Sequence, residues 1–400
     1  MMSRPVSPQT PVIRTGSVAT DSSYGGDAAR LVASYGITMD PWQRLVLRDW
    51  LAVGPDGAWR DFACALTLPR QNGKNLCLEV RELFGAAVLG EQILHTAHEV
   101  KTAKAHFTRL KYFFGQRAHD PAAQFPELNA MVERVRNTNG QEAIELRNGG
   151  SIKVSARSRG AARGFTVDVV VIDEAQELSD DALEALAPTL AAAPLGNPQQ
   201  VWTGTVPGPQ AVCDAWVRLR KRGVEGEDGL SWIEWSVPSD NTSDGDDLVR
   251  RVNPALEVGR LRPRVIDGER RALSPGGFRR ERLGQWPAEA VTHRAISDEL
   301  WSASAADPPA DGIRTRRALG PGGRGARRRT PGACERDHGG PGPAVRPDGR
   351  SGVAGRPVAA HGGDRCFRRC GGPGGGPVDE GPRGAAEAVQ GGVDRRLPVR

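Results

Sequence analysis

Long apolar runs are missing from this sequence of 400 residues. No stretch approaches the ~20 predominantly apolar residues that a membrane-spanning helix needs. The N-terminus also lacks the apolar segment that a secretory signal peptide carries. We therefore expect an intracellular, soluble protein that makes no membrane contact.

Cysteine is scarce as well, with six residues in the chain. Cys366 and Cys370 lie close to His361, but a zinc site would need a second pair of ligands at suitable spacing. We expect all six thiols to be reduced, and we predict neither a disulfide framework nor a zinc site.

The C-terminal segment, Ile313 to Arg400, lacks nearly everything that a hydrophobic core requires. Its 88 residues include 22 Gly and 18 Arg but no Lys, one aromatic residue (Phe367), two Leu and one Ile. Such a segment cannot bury enough apolar surface to offset its conformational entropy, so we expect a disordered tail. Its abrupt onset favours the hypothesis that residues from about 313 onward are frameshifted or otherwise degenerate. The alternative is a natural Arg/Gly-rich segment that binds nucleic acid.

This tail also dominates the net charge of the chain, which is +6 at pH 7. It carries 18 Arg against 8 acidic residues, which leaves a net charge of −4 for residues 1–312. The part that we expect to fold is therefore mildly acidic. The positive total charge does not indicate a basic nucleic-acid-binding surface.

Residues 169–176, VVVIDEAQ, form the most informative segment. Its four β-branched apolar residues predict a strand that is buried on both faces of a parallel sheet. Asp173 and Glu174 follow at the C-terminal end of this strand, where open α/β sheets bind ligands. In a nucleoside triphosphatase this is the Walker B position. Asp173 would hold Mg²⁺, and Glu174 would orient and deprotonate the attacking water.

Upstream, residues 68–75, LPRQNGKN, are similar to a phosphate loop, or Walker A motif. The standard pattern G-x-x-x-x-G-K-[ST] supplies backbone N–H groups and a lysine to phosphate, and a hydroxyl to Mg²⁺. Gly73 and Lys74 fit, whereas Leu68 replaces the first glycine and Asn75 replaces the Ser/Thr. A Gly-Lys pair alone would also fit a surface turn. The flanking segments favour the phosphate loop, because residues 62–68 predict a strand and residues 75–89 a helix. The two motifs together predict an ATPase that uses ATP and Mg²⁺.

Asp40 and Pro41 predict the start of a helix, with Asp as its N-cap and Pro in the first turn. Trp42 and Gln43 follow at the position where many motor ATPases contact adenine. A Gln amide can pair with both N6 and N7 of adenine. The alternative is a solvated helix residue.

Two further segments flank the predicted strands. Residues 157–165, RSRGAARGF, offer Arg163 as an arginine finger that approaches a γ-phosphate, although a solvated basic loop is the alternative. Thr203, Gly204 and Thr205 lie in a strand predicted over residues 199–207. Their hydroxyls could bond the γ-phosphate or the attacking water, whereas TGT alone is a common turn.

The order and approximate spacing of these segments resemble the ATPase region of the large terminase subunits of tailed double-stranded DNA phages. The resemblance covers about residues 30–300 and rests on PRQNGKN, the HTA strand, SRGAARGF, VVVIDEAQ, WTGT and FRRERLGQW. It implies an α/β fold of the P-loop NTPase class, additional-strand type. Such a fold is a three-layer sandwich with a mainly parallel sheet, followed by a small helical linker subdomain.

The resemblance also implies roles for single residues. Gln43 would contact adenine, Asp173 would hold Mg²⁺ and Glu174 would act as the catalytic base. Arg163 would act in trans on a neighbouring subunit. The residues implied to contact the nucleotide or to report its state are Trp42, Arg70, Gln71, Asn72, Gly73, Lys74, Asn75, Thr203, Gly204 and Thr205.

The predicted organisation is a flexible arm (1–28), a P-loop ATPase domain (29–240), a helical lid or linker subdomain (241–312) and the tail (313–400). The tail stands where the family has an RNase H-like nuclease domain, so we expect no nuclease activity. The implied function is an ATP-hydrolysing motor subunit that moves double-stranded viral DNA into a procapsid.

The implied partners are double-stranded DNA, the portal protein, the small terminase subunit and further copies in a homo-oligomeric ring. The implied location is the host cytoplasm, at the portal vertex of the procapsid. The alternative function is a helicase-like or other DNA-dependent P-loop ATPase. A helicase should carry a second ATPase-like lobe, for which the tail leaves no room.

Overall fold

The computed structural model describes residues 7–16, 22–157 and 164–287. The strands are β1 (Ile13–Thr15), β2 (Ala63–Thr67), β3 (Gln92–Ala97), β4 (Val132–Arg136), β5 (Ala143–Leu146), β6 (Ser151–Ala156), β7 (Val169–Ile172), β8 (Gln199–Gly204) and β9 (Leu230–Glu234). The helices are α1 (Gly25–Ser34), α2 (Pro41–Trp50), α3 (Lys74–Phe84), α4 (Val100–Phe114), α5 (Pro126–Ala130), α6 (Asp180–Leu186), α7 (Asp214–Val224), α8 (Asp246–Val252), α9 (Pro254–Glu257), α10 (Pro263–Ala272) and α11 (Pro275–Leu283). A π-helical turn (Gly85–Leu89) follows α3, and 3-10 turns span Ala175–Glu177 and Ala187–Leu190.

The described strands form one nine-stranded sheet in the order β1-β9-β2-β8-β7-β3-β6-β5-β4. The strands from β9 to β6 in this order run parallel to one another. The outer strands are antiparallel: β1 pairs with β9 on one side of the sheet, and β5 pairs with β6 and β4 with β5 on the other side. An extra strand, β8, lies between β2 and β7, which carry the two predicted motifs. The prediction of a mainly parallel sheet of the additional-strand type is therefore confirmed.

Successive residues of the central strands face two different hydrophobic cores, as the two-residue period of a strand requires. On β2, Cys64 and Leu66 pack in the core that includes α1 to α4, whereas Ala63 and Ala65 pack in the core that includes α6 and α7. The four residues of β7 alternate in the same way. Helices thus cover both faces of the sheet, and the predicted three-layer sandwich is confirmed.

Parallel register aligns the strand ends that matter for function. Thr67 of β2 lies opposite Gly204 of β8, and Ile172 of β7 lies opposite Trp202. The end of the sheet where these strands finish is called the C-terminal edge below, and the opposite end is the N-terminal edge. Both predicted motifs leave the sheet at the C-terminal edge, where α/β sheets bind ligands.

The first residues of the chain differ from the predicted flexible arm over residues 1–28. β1 pairs with β9, with Ile13 opposite Glu234, and Arg14 forms an ion pair with the buried Asp49 at 2.6 Å. α1 begins at Gly25, where an added Cβ would lie 2.5 Å from backbone atoms of Arg48. The prediction is wrong for the described part of this segment. The polar composition of this segment gave no signal for β1, a short outer strand that forms only by pairing with β9.

Helices α8 to α11 fall within the range predicted for the linker subdomain, of which residues 241–287 are described. Val249, Val252, Phe278 and Leu283 belong to the same hydrophobic core as α1 to α4. In the described ranges these helices therefore pack directly on the sheet domain. The predicted tail, residues 313–400, lies outside the described residues. A search of the described helices for a membrane-spanning segment finds none of sufficient length and apolarity.

Candidate functional site

The predicted phosphate loop, residues 68–75, connects the end of β2 to the start of α3. Gly73 precedes α3 with a φ of 97°, a left-handed conformation that glycine adopts readily. Gln71 is also left-handed, with a φ of 62°, which is uncommon for a residue with a side chain. The first turn of α3 has backbone N–H groups without intrahelical partners, and such a helix start suits an anion.

Lys74 lies in this first turn of α3. Its Nζ donates a hydrogen bond to the carbonyl oxygen of Leu68 at 3.0 Å. Desolvation by burial lowers the pKa of Lys74 to about 8, although the nearby charge of Asp173 acts in the opposite direction. The ammonium group therefore stays mostly protonated at neutral pH. Because an ammonium group has three donors, Lys74 can hold the loop and still bind an anion.

Residues from the region that contains α8 to α11 hold the phosphate loop in place. Buried Asn72 donates to Oδ1 of Asn253 at 2.9 Å. Arg260 donates to the carbonyl oxygen of Asn72 at 3.0 Å, and Arg282 donates to that of Arg70 at 2.9 Å. The Asn72 side chain is thus engaged within the protein. The Arg70 side chain pairs with Glu281 at 2.8 Å and remains 57% exposed, and the nucleotide contacts of both residues stay predictions.

Asp173 lies directly after β7 and is buried. Its Oδ1 accepts hydrogen bonds from Thr203 Oγ1 at 2.6 Å and from the backbone N–H of Glu174 at 2.9 Å. Its Oδ2 accepts none from the described part of the chain. A carboxylate oxygen in this position fits Mg²⁺, which prefers oxygen ligands. Asn75 is exposed in the first turn of α3, and its amide oxygen is a suitable second oxygen ligand for Mg²⁺.

Glu174 follows with a left-handed backbone, φ 52° and ψ 49°. Burial of the carboxyl group, reinforced by the charge of Asp173, raises the pKa of Glu174. A carboxylate whose pKa is raised towards neutrality is better suited to accept a proton. The geometry is compatible with the role of a general base.

The TGT segment brings its first residue to the same place, because Thr203 bonds Asp173. Gly204 is required by close packing, since an added Cβ would lie 2.9 Å from the ring of Trp216. The backbone N–H of Thr205 donates to Gln176 Oε1 at 3.1 Å. The buried Oγ1 of Thr205 has no hydrogen-bond partner among the described residues.

The two residues predicted to contact adenine are placed differently. Gln43 is buried; its Oε1 accepts from the N–H of Asp40 at 2.9 Å, and its Nε2 donates to the carbonyl oxygen of Gly73 at 3.0 Å. Both ends of this amide are engaged, so in this conformation Gln43 orders the phosphate loop. Trp42 is fully buried and packs edge-on against Trp235, with ring centroids 5.5 Å apart. Burial corrects the prediction for Trp42, because a ring without exposed surface cannot contact a nucleotide.

A cavity of about 860 Å³ opens beside the start of α3, a volume typical of ligand pockets. Ile37, Tyr112 and Phe113 supply an apolar wall, and Lys74 and Asn75 lie at its polar end. An apolar wall beside a helix start provides separate surfaces for a base and for phosphates.

Arg163, the predicted arginine finger, lies outside the described residues, which end at Arg157 and resume at Gly164. Four residues that contact the site were missed by sequence reasoning, namely Arg157, Asn253, Arg260 and Arg282. Only Arg157 had a readable signal, since it is the first residue of the arginine-rich segment RSRGAARGF that precedes the predicted VVVI strand.

A separate buried cluster contains Glu82, His95 and His106, whose ligand atoms lie within 4.8 Å of one another. His95 Nδ1 lies 2.7 Å from Oε1 of Glu82, and His106 Nε2 lies 2.7 Å from Oε2 of Glu82. The two rings stack 3.7 Å apart at an interplanar angle of 10°. Because parallel stacked rings cannot both direct a nitrogen lone pair at one ion, this geometry is that of a hydrogen-bonded triad.

Neither the protein-family models nor the curated proteins include a match to this sequence. Among solved structures, the large terminase of bacteriophage HK97 is similar over 66% of this chain and 55% of that protein, with 17% identity and a TM-score of 0.53. The ATPase domain of the Thermus phage P74-26 large terminase is similar over 64% of this chain and 97% of that chain, with 17% identity and a TM-score of 0.43. The large terminase of another thermophilic bacteriophage, in complex with ADP, is similar over 61% of this chain and 52% of that protein, with 15% identity and a TM-score of 0.41.

This chain thus aligns with little more than half of the HK97 protein. The structural similarity, with a TM-score of 0.53, establishes the fold, whereas 17% identity does not establish a shared activity. The described part of the chain has the fold of the aligned part of the HK97 large terminase, and the resemblance predicted from its motifs is confirmed at the level of the fold.

Proposed function

We propose that this protein is an ATP-hydrolysing motor subunit of the large terminase type, which moves double-stranded viral DNA into a procapsid. The observation that carries the proposal is the convergence of Lys74, Asp173 and Glu174 at one edge of a sheet with the terminase fold. Cation, metal-binding carboxylate and base are the groups that phosphoryl transfer to water requires.

In this proposal the start of α3 and the ammonium group of Lys74 bind the β- and γ-phosphates of ATP. The apolar wall of the adjacent cavity accommodates the base. Asp173 and Asn75 would hold Mg²⁺, which would supply positive charge to offset the negative charge that develops during transfer. Thr203 fixes the Asp173 carboxylate through its hydrogen bond at 2.6 Å.

Glu174 accepts the proton of the attacking water. Burial and the charge of Asp173 raise the pKa of Glu174, which increases the proton affinity of its carboxylate. Thr205, whose backbone N–H donates to Gln176, two residues after Glu174, would hydrogen-bond this water through its hydroxyl. Arg163 would approach the γ-phosphate of a neighbouring subunit as an arginine finger.

We further propose that the subunits assemble in a ring at the portal vertex, in the host cytoplasm. The partners would be double-stranded DNA, the portal protein and the small terminase subunit. We propose no nuclease activity, because the acidic residues after position 312 are scattered among Gly, Pro and Arg. Cleavage with two metal ions needs several convergent carboxylates.

The test is phosphate release by the full chain, measured with and without linear double-stranded DNA and with and without a Mg²⁺ chelator. We expect hydrolysis that depends on Mg²⁺ and is stimulated by DNA. Asp173→Asn should abolish it, whereas Asp180→Asn, which alters an exposed ion pair with Arg218, should not. Absence of hydrolysis, or full activity of Asp173→Asn, would contradict the proposal.

The helicase-like alternative predicts a different second measurement. A helicase would separate a labelled duplex in the presence of ATP, whereas a packaging motor should translocate along the duplex without separating its strands. ATP-dependent unwinding by the full chain would favour the alternative.

A further inference from the structure

Glu174 has a backbone conformation that its own residue type does not favour. Three non-glycine residues in the described ranges have a positive φ, namely Gln71, His119 and Glu174. Two of these lie at the candidate site. A residue with a side chain persists in such a conformation only where its surroundings over-determine it, and such positions cluster at active sites. The contacts that hold Glu174 therefore bear on its function.

Arg157 supplies those contacts. It directly follows β6 at the C-terminal edge, and its own N–H donates to the carbonyl oxygen of Ala97 at 2.8 Å. Its Nη1 donates to the carbonyl oxygen of Asp173 at 2.6 Å and to that of Thr96 at 3.2 Å. Its Nη2 donates to the carbonyl oxygen of Glu174 at 2.9 Å.

The fork of the guanidinium group thus spans two consecutive peptide carbonyls. The planar guanidinium is rigid and presents its donors in fixed directions, which a lysine cannot reproduce. Fixing the carbonyls of Asp173 and Glu174 fixes the peptide planes on both sides of the Glu174 Cα atom. The direction in which the Glu174 side chain leaves the backbone is then determined as well.

Arg157 forms no ion pair among the described residues, because its partners there are carbonyl oxygens. A partly buried cation without a direct carboxylate partner does not stabilise the folded state, because its desolvation is not offset by an ion pair. The negative charges that act on its guanidinium group are those of Asp173, Glu174 and Glu177. The arrangement is understandable if the position of the Asp173 and Glu174 carboxylates is what Arg157 secures.

We propose that Arg157 is a positioning residue, which holds Glu174 in its left-handed conformation and so directs the Glu174 carboxylate at the attacking water. The inference rests on the proposed ATPase function. Arg157 does not touch the nucleotide in this account. Its removal should therefore slow the chemical step and leave nucleotide binding in place.

The experiment compares Arg157→Ala and Arg157→Lys with a matched control, Arg81→Lys. Arg81 is a fully buried arginine at the N-terminal edge, where it pairs with Glu91, whereas Arg157 is half-buried. For each full-length variant, kcat and KM for ATP, affinity for a fluorescent ATP analogue and melting temperature are measured. Arg157→Ala should lower kcat on the order of 10²-fold, the effect of an ~1 Å misplacement of a reacting group. Its KM and analogue affinity should stay near those of the wild type.

Rescue separates positioning from a merely structural role. Guanidinium chloride, at concentrations below those that unfold the protein, should restore part of the kcat of Arg157→Ala and leave the kcat of Arg81→Lys unchanged. Arg157→Lys, which keeps the charge without the fork, should lie between Arg157→Ala and the wild type. It also serves as the test if Arg157→Ala does not fold.

Two results would overturn the inference. One is a wild-type kcat in Arg157→Ala. The other is a fall in kcat that is matched by an equal loss of analogue affinity and is not restored by guanidinium. An inactive wild-type chain would instead refute the proposed ATPase function, so the two failures are distinguishable.

Discussion

One arginine lies at the N-terminal edge of the central sheet and another at the C-terminal edge, and their hydrogen-bond partners differ in kind. At the N-terminal edge, Arg81 forms a two-point ion pair with Glu91, at 2.5 and 3.0 Å, and donates to Gln199 at 2.9 Å. At the C-terminal edge, Arg157 contacts only carbonyl oxygens, and its Nε has no partner among the described residues. The ion pair of Arg81 neutralises the charge of Glu91, whereas the hydrogen bonds of Arg157 fix the backbone at Asp173 and Glu174.

The same contrast extends to the residues around them. The C-terminal edge holds the strained Gln71 and Glu174, and the buried, unpartnered hydroxyl of Thr205. Departures from local favourability are expected where a protein trades stability for function. We infer that the N-terminal edge stabilises the sheet and that the C-terminal edge performs chemistry. Variants at the first edge should change stability, and variants at the second should change activity.

The largest effect on stability is expected from Arg81→Met. Removal of one partner leaves Glu91 as an uncompensated buried charge, which typically costs about 3–5 kcal/mol. Chemical denaturation should show this loss, while any folded protein keeps the ATP turnover of the wild type. The double variant Arg81→Met/Glu91→Leu should recover much of the stability. An unchanged denaturation midpoint in Arg81→Met would contradict the role of this edge.

The buried triad between the edges should make stability depend on acid. Burial alone would raise the pKa of Glu82, but the charges and hydrogen bonds of His106 and His95 outweigh it and lower the pKa to about 2. A depressed carboxyl pKa contributes stability above its ordinary value of 4.5, and this stability is lost as the pH falls from 4.5 towards 2. The contribution is about 3 kcal/mol. Thermal melting from pH 6 downwards should therefore fall less steeply in Glu82→Gln than in the wild type, and equal slopes would refute this assignment.

Lys74→Ala tests the phosphate loop at the C-terminal edge. A charge-assisted hydrogen bond contributes about 1.5–3 kcal/mol, so affinity for ATP should fall by about tenfold or more. Titration with a fluorescent ATP analogue measures the change. Lys221→Ala, which removes an exposed lysine of α7, is the control and should bind normally. Unchanged affinity in Lys74→Ala would show that residues 68–75 are not the phosphate loop.

Thr205→Val should have the smallest effect on stability. It replaces a buried hydroxyl that lacks a partner among the described residues with a methyl group of similar size. The unfavourable burial of the hydroxyl disappears, so the variant should gain about 1 kcal/mol of stability, while ATP turnover decreases. Denaturation and phosphate release measure the two changes. A destabilised Thr205→Val would mean that the hydroxyl is satisfied and that this part of the edge carries no strain.

The sequence predicted the elements whose signals are local. VVVIDEAQ combines a buried strand with two carboxylates in one short segment, and the Gly-Lys pair lies between a strand pattern and a helix pattern. Parallel pairing then brings their ends together at one edge. For these reasons the sheet class and the positions of Asp173, Glu174 and Lys74 could be predicted before the fold was known.

The contacts missed by the sequence are long-range. Asn253, Arg260 and Arg282 contact the phosphate loop from a region that follows it by more than 170 residues. β1 depends on β9, a strand that is distant in the sequence. Trp42 has the local position of a nucleotide contact, but tertiary packing buries its ring completely. Local patterns contain no signal for any of these placements.

The central claim, that the C-terminal edge hydrolyses ATP through Glu174, is tested most directly by steady-state phosphate release from Glu174→Gln at saturating ATP. The carboxamide keeps the shape of the side chain and removes the proton acceptor. Glu174→Gln should bind ATP as the wild type does and should release phosphate slower by a factor on the order of 10² or more. Glu177→Gln, a change of the carboxylate in the 3-10 turn that follows Glu174, should retain turnover. Wild-type turnover in Glu174→Gln would show that Glu174 is not the base.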